Sequence, residues 1–250
     1  SRIDSEKFIK MARRNNNQQT TTTKDALNYQ ALAFRDYLAA RHLLIDDFLL
    51  QGIVLSSISV EKYLKLLLAA KGVRTGKHID RLSVFKRLFE MHLPTFFDAF
   101  DEEYLWLLSR VYDLRYYDHI RGEKTVGFYK WQVLSELDYM VNFIESSINI
   151  KNGINEIKTQ YSEYVENSNI KLFRENYIFN KINKKDFMER KGLSCTLLFD
   201  DRIINKFGAN ELIVEMQNTP VKYDGVISLI RAKFNKNQKQ ELNVPENQDG

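Results

Sequence analysis

From Phe48 to Ala70 the chain carries a long apolar run, interrupted by Gln51, several serines, Glu61, Lys62 and Lys65. Those interruptions make it a poor membrane span. They suit a long, mostly buried helix instead. Ile53, Val54, Ser57, Ile58, Glu61, Tyr63, Leu64, Leu67 and Leu68 trace a wide face at helical spacing. Glu61 and Lys65 stand in the favourable i,i+4 order, worth about 0.3–0.5 kcal/mol on an exposed face. Lys71 supplies a C-terminal cation and Gly72 a left-handed cap.

Other helical patterns flank this one. Leu27, Ala31, Phe34, Leu38, Ala39 and Leu43 form one stripe of a first helix that Asp46-Asp47 ends. Ile79, Leu82, Phe85, Leu88 and Phe89 define a third helix ending before Pro94. Phe100, Tyr104, Leu107, Leu108 and Val111 lie in register on a fourth, over about 97–114. A loop is expected over 120–127. A fifth helix follows over about 129–151, using Trp131, Leu134, Leu137, Tyr139, Met140, Phe143 and Ile144. Helices joined by short connections predict a bundle.

The expected organisation is an N-terminal arm and polar linker over 1–24, a five-helix bundle over 25–152, a smaller α+β region over 153–234, and a disordered polar tail over 235–250. Within the third part, 154–165 reads as helix, while 194–199 and 211–216 read as strands. Residues 226–234 fit strand or helix. The fold class is therefore mainly α.

Of the 250 residues 44% are hydrophobic and 28% charged, ordinary for a soluble globular chain. Phe and Tyr are numerous, so an aromatic core is expected. The net charge of +4 tolerates an anionic partner without identifying one. Cys195 is the single cysteine, which excludes an intramolecular disulfide or a cysteine zinc cluster. Residues 1–7 have no apolar core of signal-peptide length. The expected setting is the cytoplasm, with no membrane span, no metal and no cofactor.

Leu114-Arg115-Tyr116-Tyr117-Asp118-His119 concentrates polar chemistry. Arg115 is a permanent, planar five-donor cation suited to phosphate or carboxylate. Tyr116 and Tyr117 can stack on a base or ribose. Asp118 can orient Arg115 or accept a proton, and His119 titrates near neutrality. An Arg–His pair can cleave RNA without metal: the imidazole assists proton transfer at the 2′-hydroxyl, and the guanidinium stabilises the phosphorane. The competing reading is an Arg–Asp pair with two tyrosines packed against the bundle.

Four segments, in order, resemble the HEPN domain, a nucleotide-binding helical family. They are residues 36–44 (Asp-Tyr-Leu-Ala-Ala-Arg-His-Leu-Leu), residues 59–68 (Ser-Val-Glu-Lys-Tyr-Leu-Lys-Leu-Leu-Leu), residues 77–82 (Lys-His-Ile-Asp-Arg-Leu) and residues 112–118 (Tyr-Asp-Leu-Arg-Tyr-Tyr-Asp). The resemblance covers about 25–151. It implies an up-and-down bundle, usually a homodimer, that binds nucleotide or RNA through Arg115, Tyr116, Tyr117, Asp118, Lys77 and His78. It further implies a place in defence or toxin–antitoxin systems, with a nucleotidyltransferase as a partner. Active members are metal-independent RNases whose Arg and His are separated by four to six residues. Here Arg115 and His119 have three between them, so binding without catalysis is the expectation. Cleavage by Arg115 and His119, or a dimeric interaction scaffold, are the alternatives. Arg87 and His92 have the family spacing, but on the third helix, where the family does not place it.

Several other residues carry weaker signals. His78 fits a capping or packing role as well as a ligand role. Lys71, Arg74 and Lys77 form a basic loop that can contact phosphate or face solvent. Lys181, Lys184, Lys185, Arg190 and Lys191 form a second basic cluster with the same two readings. His42 and Cys195 read as structural.

Overall fold

The computed structural model describes residues 27–73, 82–111, 124–152, 155–199 and 213–219. The fold is mainly helical, as expected. The first helix, α1 (27–45), buries Gln30, Ala33, Phe34, Tyr37, Ala40, Arg41, Leu44 and Ile45. That stripe is rotated from the expected one: Ala39 is exposed, and Leu27, Ala31, Leu38 and Leu43 are half-buried. The rotation follows from Gln30, Tyr37 and Arg41, which find carboxylate partners inside the protein and so can be buried at little cost.

A turn at Asp46-Asp47 separates α1 from α2 (Leu49–Ala70), with Asp47 at φ 68°. Lys130 Nζ donates to Asp47 Oδ1 (2.6 Å) and to the Ile45 carbonyl (3.2 Å), which fixes that turn against the bundle. The end of α2 is closed as expected. Gly72 takes φ +74°, its N–H donates to the Ala69 carbonyl (2.9 Å), and the Val73 N–H donates to the Leu68 carbonyl (2.9 Å). This is the paired bonding of a Schellman motif.

The third helix, α3, covers Leu82–His92. The expected fourth helix is instead two pieces, α4 (Pro94–Phe97) and α5 (Glu102–Val111). Pro94 opens α4 at its first turn, where a missing N–H costs nothing. The Asp101 carboxylate accepts the Tyr104 N–H (2.6 Å) and caps α5. Phe100, Tyr104, Leu107, Leu108 and Val111 are all buried, as the spacing predicts.

Part of the expected loop at 120–127 is a strand, β1 (Lys124–Tyr129). It runs without a break into α6 (Lys130–Ser147), which is buried on most of its circumference. A hairpin of β2 (Lys151–Asn152) and β3 (Asn155–Glu156) follows. The helix expected from 154 therefore begins only at α7 (Gln160–Glu166), after the Thr159 cap. Two short helices, α8 (Ile170–Phe173) and α9 (Lys184–Met188), have asparagine caps. The strands β4 (Gly192–Phe199) and β5 (Ile213–Thr219) complete an antiparallel sheet of order β1-β4-β5, with Phe128 opposite Cys195 and Cys195 opposite Met216.

One hydrophobic core runs through the described helices. It joins Phe34, Tyr63, Phe89, Leu108 and Leu134 to Tyr161, Leu172, Tyr177 and Phe187. The expected boundary at 152/153 does not divide it, because α7–α9 pack on the bundle and β4 pairs with β1. Aromatic rings knit the junction: Phe34 meets Tyr164 edge-on at 5.3 Å, and Trp131 meets Phe187 at 5.3 Å. Among the described residues, no helix is long and apolar enough to cross a membrane.

Candidate functional site

Lys77, His78, Arg115, Tyr116, Tyr117, Asp118 and His119 lie outside the described residues, as do the arm over 1–24 and the segments 226–234 and 235–250. Residues on either side of the Arg115 segment are described. Before it, α5 ends on fully buried Val111, with the Arg110 guanidinium 5.3 Å from the Trp106 ring centre. After it, β1 begins at Lys124. Arg87 and His92 are both exposed on α3.

Polar residues at helical spacing within the apolar face of α6 build two internal networks. In the first, Arg41 Nε donates to Asp138 Oδ1 (2.6 Å) and Arg41 Nη2 to Oδ2 (3.1 Å), with both side chains fully buried. Arg41 Nη1 also donates to the Lys171 carbonyl (3.3 Å) and Nη2 to the Arg174 carbonyl (3.0 Å). Tyr37 Oη donates to the same carboxylate (2.8 Å). Burial alone would lower the Arg41 pKa, but Asp138, with Tyr37 and Glu175, more than offsets it and keeps the guanidinium charged. Burial, then Asp138, pushes the Tyr37 phenol well up. Next to this network the His42 pKa is lowered, by burial and then by Arg41. Four of the five guanidinium N–H groups are thus engaged, and the arrangement ties α1, α6 and α8 together rather than exposing chemistry.

The second network centres on Glu145. Tyr63 Oη (2.6 Å) and Gln30 Nε2 (3.0 Å) donate to its Oε1, and Thr159 Oγ1 (3.3 Å) donates to Oε2. The three donors are neutral. Burial raises the Glu145 pKa, and these hydrogen bonds oppose the rise only in part. Elsewhere on α6, buried Glu136 meets Lys184 Nζ at 2.7 Å, and burial raises its pKa too.

Of the expected second basic cluster, Lys184 and Arg190 are paired closely within the fold, Lys185 lies 4.0 Å from Glu189, and Lys181 and Lys191 are exposed. Lys184 bonds Glu136 and sits 4.6 Å from the Tyr139 ring centre. Arg190 bonds Glu175 (2.7 Å) and covers the Phe187 ring. The cations of the resembling helices are paired as well, Lys62 with Asp36 and Lys65 with Glu61.

A cleft of about 900 Å³ opens where α2 and α6 end. Leu66, Leu67, Leu93 and Phe96 form much of its apolar lining, and Lys71, Asn149 and Lys151 are its polar residues beside Ser147. Lys71 and Lys151 are exposed, and Lys151 stands opposite Glu156 in the β2–β3 register. No Asp or Glu is among the described lining residues. Sequence reasoning found Lys71 as part of a basic loop but had no signal for Lys151, which reaches the cleft through the tertiary fold. Among the described residues no group of three or more His, Cys, Asp or Glu is placed to hold a metal ion.

Comparison with known proteins finds no matching family model, curated protein or solved structure.

Proposed function

We propose that this is a HEPN-like protein that binds nucleotide or RNA through Arg115, Tyr116, Tyr117 and Asp118, with Lys77 and His78 contributing, and that it does not cleave its ligand. In this reading it works in the cytoplasm as a homodimer, within a defence or toxin–antitoxin system and beside a nucleotidyltransferase. The observation that carries the reading is how the charges of the resembling helices are used. Arg41, Lys62 and Lys65 are all engaged in internal ion pairs, so these motif residues are architectural. Arg115 and its neighbours are then the part of the pattern left to meet a ligand. The three-residue separation of Arg115 and His119 favours binding over cleavage.

The test is binding of labelled RNA and of free nucleotides at low salt, repeated with Arg115→Ala. Expected are salt-dependent binding and a loss in the variant, with the log–log salt slope shallower by about 0.7 for one lost single-strand phosphate contact. Unchanged binding in Arg115→Ala would remove the reading. RNA cleavage that persists with chelator and disappears in His119→Ala would replace it with the RNase.

A further inference from the structure

We propose that Thr159 and Ser162 form a two-hydroxyl relay that carries protons between the buried Glu145 carboxyl and solvent. Thr159 Oγ1 lies 3.3 Å from Glu145 Oε2 and 3.1 Å from Ser162 Oγ. Thr159 caps α7, and Ser162 lies in its first turn. Glu145 is buried, whereas Thr159 and Ser162 are half-buried, so the three groups run from the interior towards the surface. Tyr63 and Gln30 both donate to the other carboxyl oxygen, Oε1, which leaves Oε2 to the hydroxyls. Without such a path a buried carboxyl exchanges its proton only when the structure opens locally.

The hydrogen bonds close in both protonation states. With Glu145 ionised, Thr159 donates to Oε2 and Ser162 Oγ donates to Thr159. With the proton on Oε2, the carboxyl donates to Thr159 Oγ1 and Thr159 donates to Ser162 Oγ. A hydroxyl has one proton and two acceptor sites. The Ser162 N–H (3.2 Å) fills the second acceptor site of Thr159 in either state, so the cap of α7 is kept. On deprotonation the carboxyl proton passes to Thr159, the Thr159 proton to Ser162, and the Ser162 proton to water. Neither hydroxyl is left charged. The titratable groups packed around Glu145 offer no second path. Tyr63 of α2 and Tyr161 of α7 are phenols pushed up by burial and then by Glu145. Asp138 of α6 is committed to Arg41 and Tyr37 of α1, and Lys158 pairs with Glu166 (2.8 Å) in solvent.

The relay is independent of the Arg115 reading. Carbon NMR of the Glu145 side-chain carboxyl, followed through its titration in the full chain, gives both the midpoint and the rate of proton exchange. Ser162→Ala removes the outer hydroxyl and keeps the N–H that bonds the Thr159 cap. It is expected to slow proton exchange by about a hundredfold, the contribution of a positioned proton carrier, with the midpoint and the amide exchange of α7 unchanged. Ser162→Thr keeps a hydroxyl and should keep the parent rate. Thr159→Val breaks the relay at its inner hydroxyl and should slow exchange as Ser162→Ala does. Two outcomes would each overturn the proposal: the parent rate in Ser162→Ala, or proton exchange at Glu145 in the parent no faster than the amide opening of α7.

Discussion

Arg41 on α1 and Asp138 on α6 meet in a two-pronged ion pair, Nε to Oδ1 at 2.6 Å and Nη2 to Oδ2 at 3.1 Å, with neither side chain exposed. Removing either partner strands a charge in the core. Arg41→Met is expected to cost about 3–5 kcal/mol. The double variant Arg41→Met with Asp138→Leu should recover a large part of that, because an apolar pair of similar volume avoids the desolvation cost. Urea denaturation of the two singles and the double measures the coupling; an additive cycle would contradict it.

Glu145 makes stability depend on pH in the unusual direction. Its folded pKa is raised by burial. Below its ordinary pKa both folded and unfolded states hold the proton, and the group contributes no penalty. As pH rises from that value towards the folded pKa, only the unfolded state ionises, and stability falls. Glu145→Gln removes this loss. The variant should therefore gain on the parent by about 1.4 kcal/mol for each pH unit crossed within that window, and no more above it. Parallel denaturation series across pH check the sign. A pH-independent difference would mean that the carboxyl ionises alike in both states.

Lys184 neutralises buried Glu136 across the α6–α9 contact. Lys184→Met should raise the Glu136 pKa further and destabilise the protein by about 1–3 kcal/mol, the cost of an unsatisfied buried group. The side chain of Lys184 is about one-third exposed at 34%, which places the expectation at the low end of that range. Because Trp131 packs on Phe187 of α9, its fluorescence reports the loosening directly.

At Gly52 the helices α1 and α2 approach too closely for a side chain. A Cβ there would lie 2.7 Å from Leu44 Cγ and 3.0 Å from the Leu44 backbone nitrogen. Gly52→Ala is expected to lower stability by about 1–3 kcal/mol through overpacking, despite the better helix propensity of alanine. A rise in the thermal midpoint would show that the contact relaxes freely.

What the sequence reveals and conceals follows the range of the interactions. The Asp46-Asp47 break, the Lys71-Gly72 cap and the buried face of α5 depend on near neighbours, and all are as expected. β1 is concealed because its partner β4 lies far along the chain and Gly127 interrupts its pattern. The face of α1 is misjudged because Arg41 and Tyr37 look like surface residues until Asp138 is brought to them. The same applies to the candidate site. Arg115–His119 stands out chemically within one short segment. The cleft joins the end of α2 to the end of α6, and no local pattern couples Lys71 to Lys151.

The reach of Arg41 to the Lys171 and Arg174 carbonyls also sets an order of assembly during synthesis. A growing chain exposes Asp138 well before those carbonyls, by roughly two to seven seconds at ordinary translation rates. Through that interval the nascent helices can pair the guanidinium with its carboxylate but not complete its coordination. The last part of the lock arrives with α8, so a ribosome stalled before that point would hold a bundle whose central cation is only half satisfied.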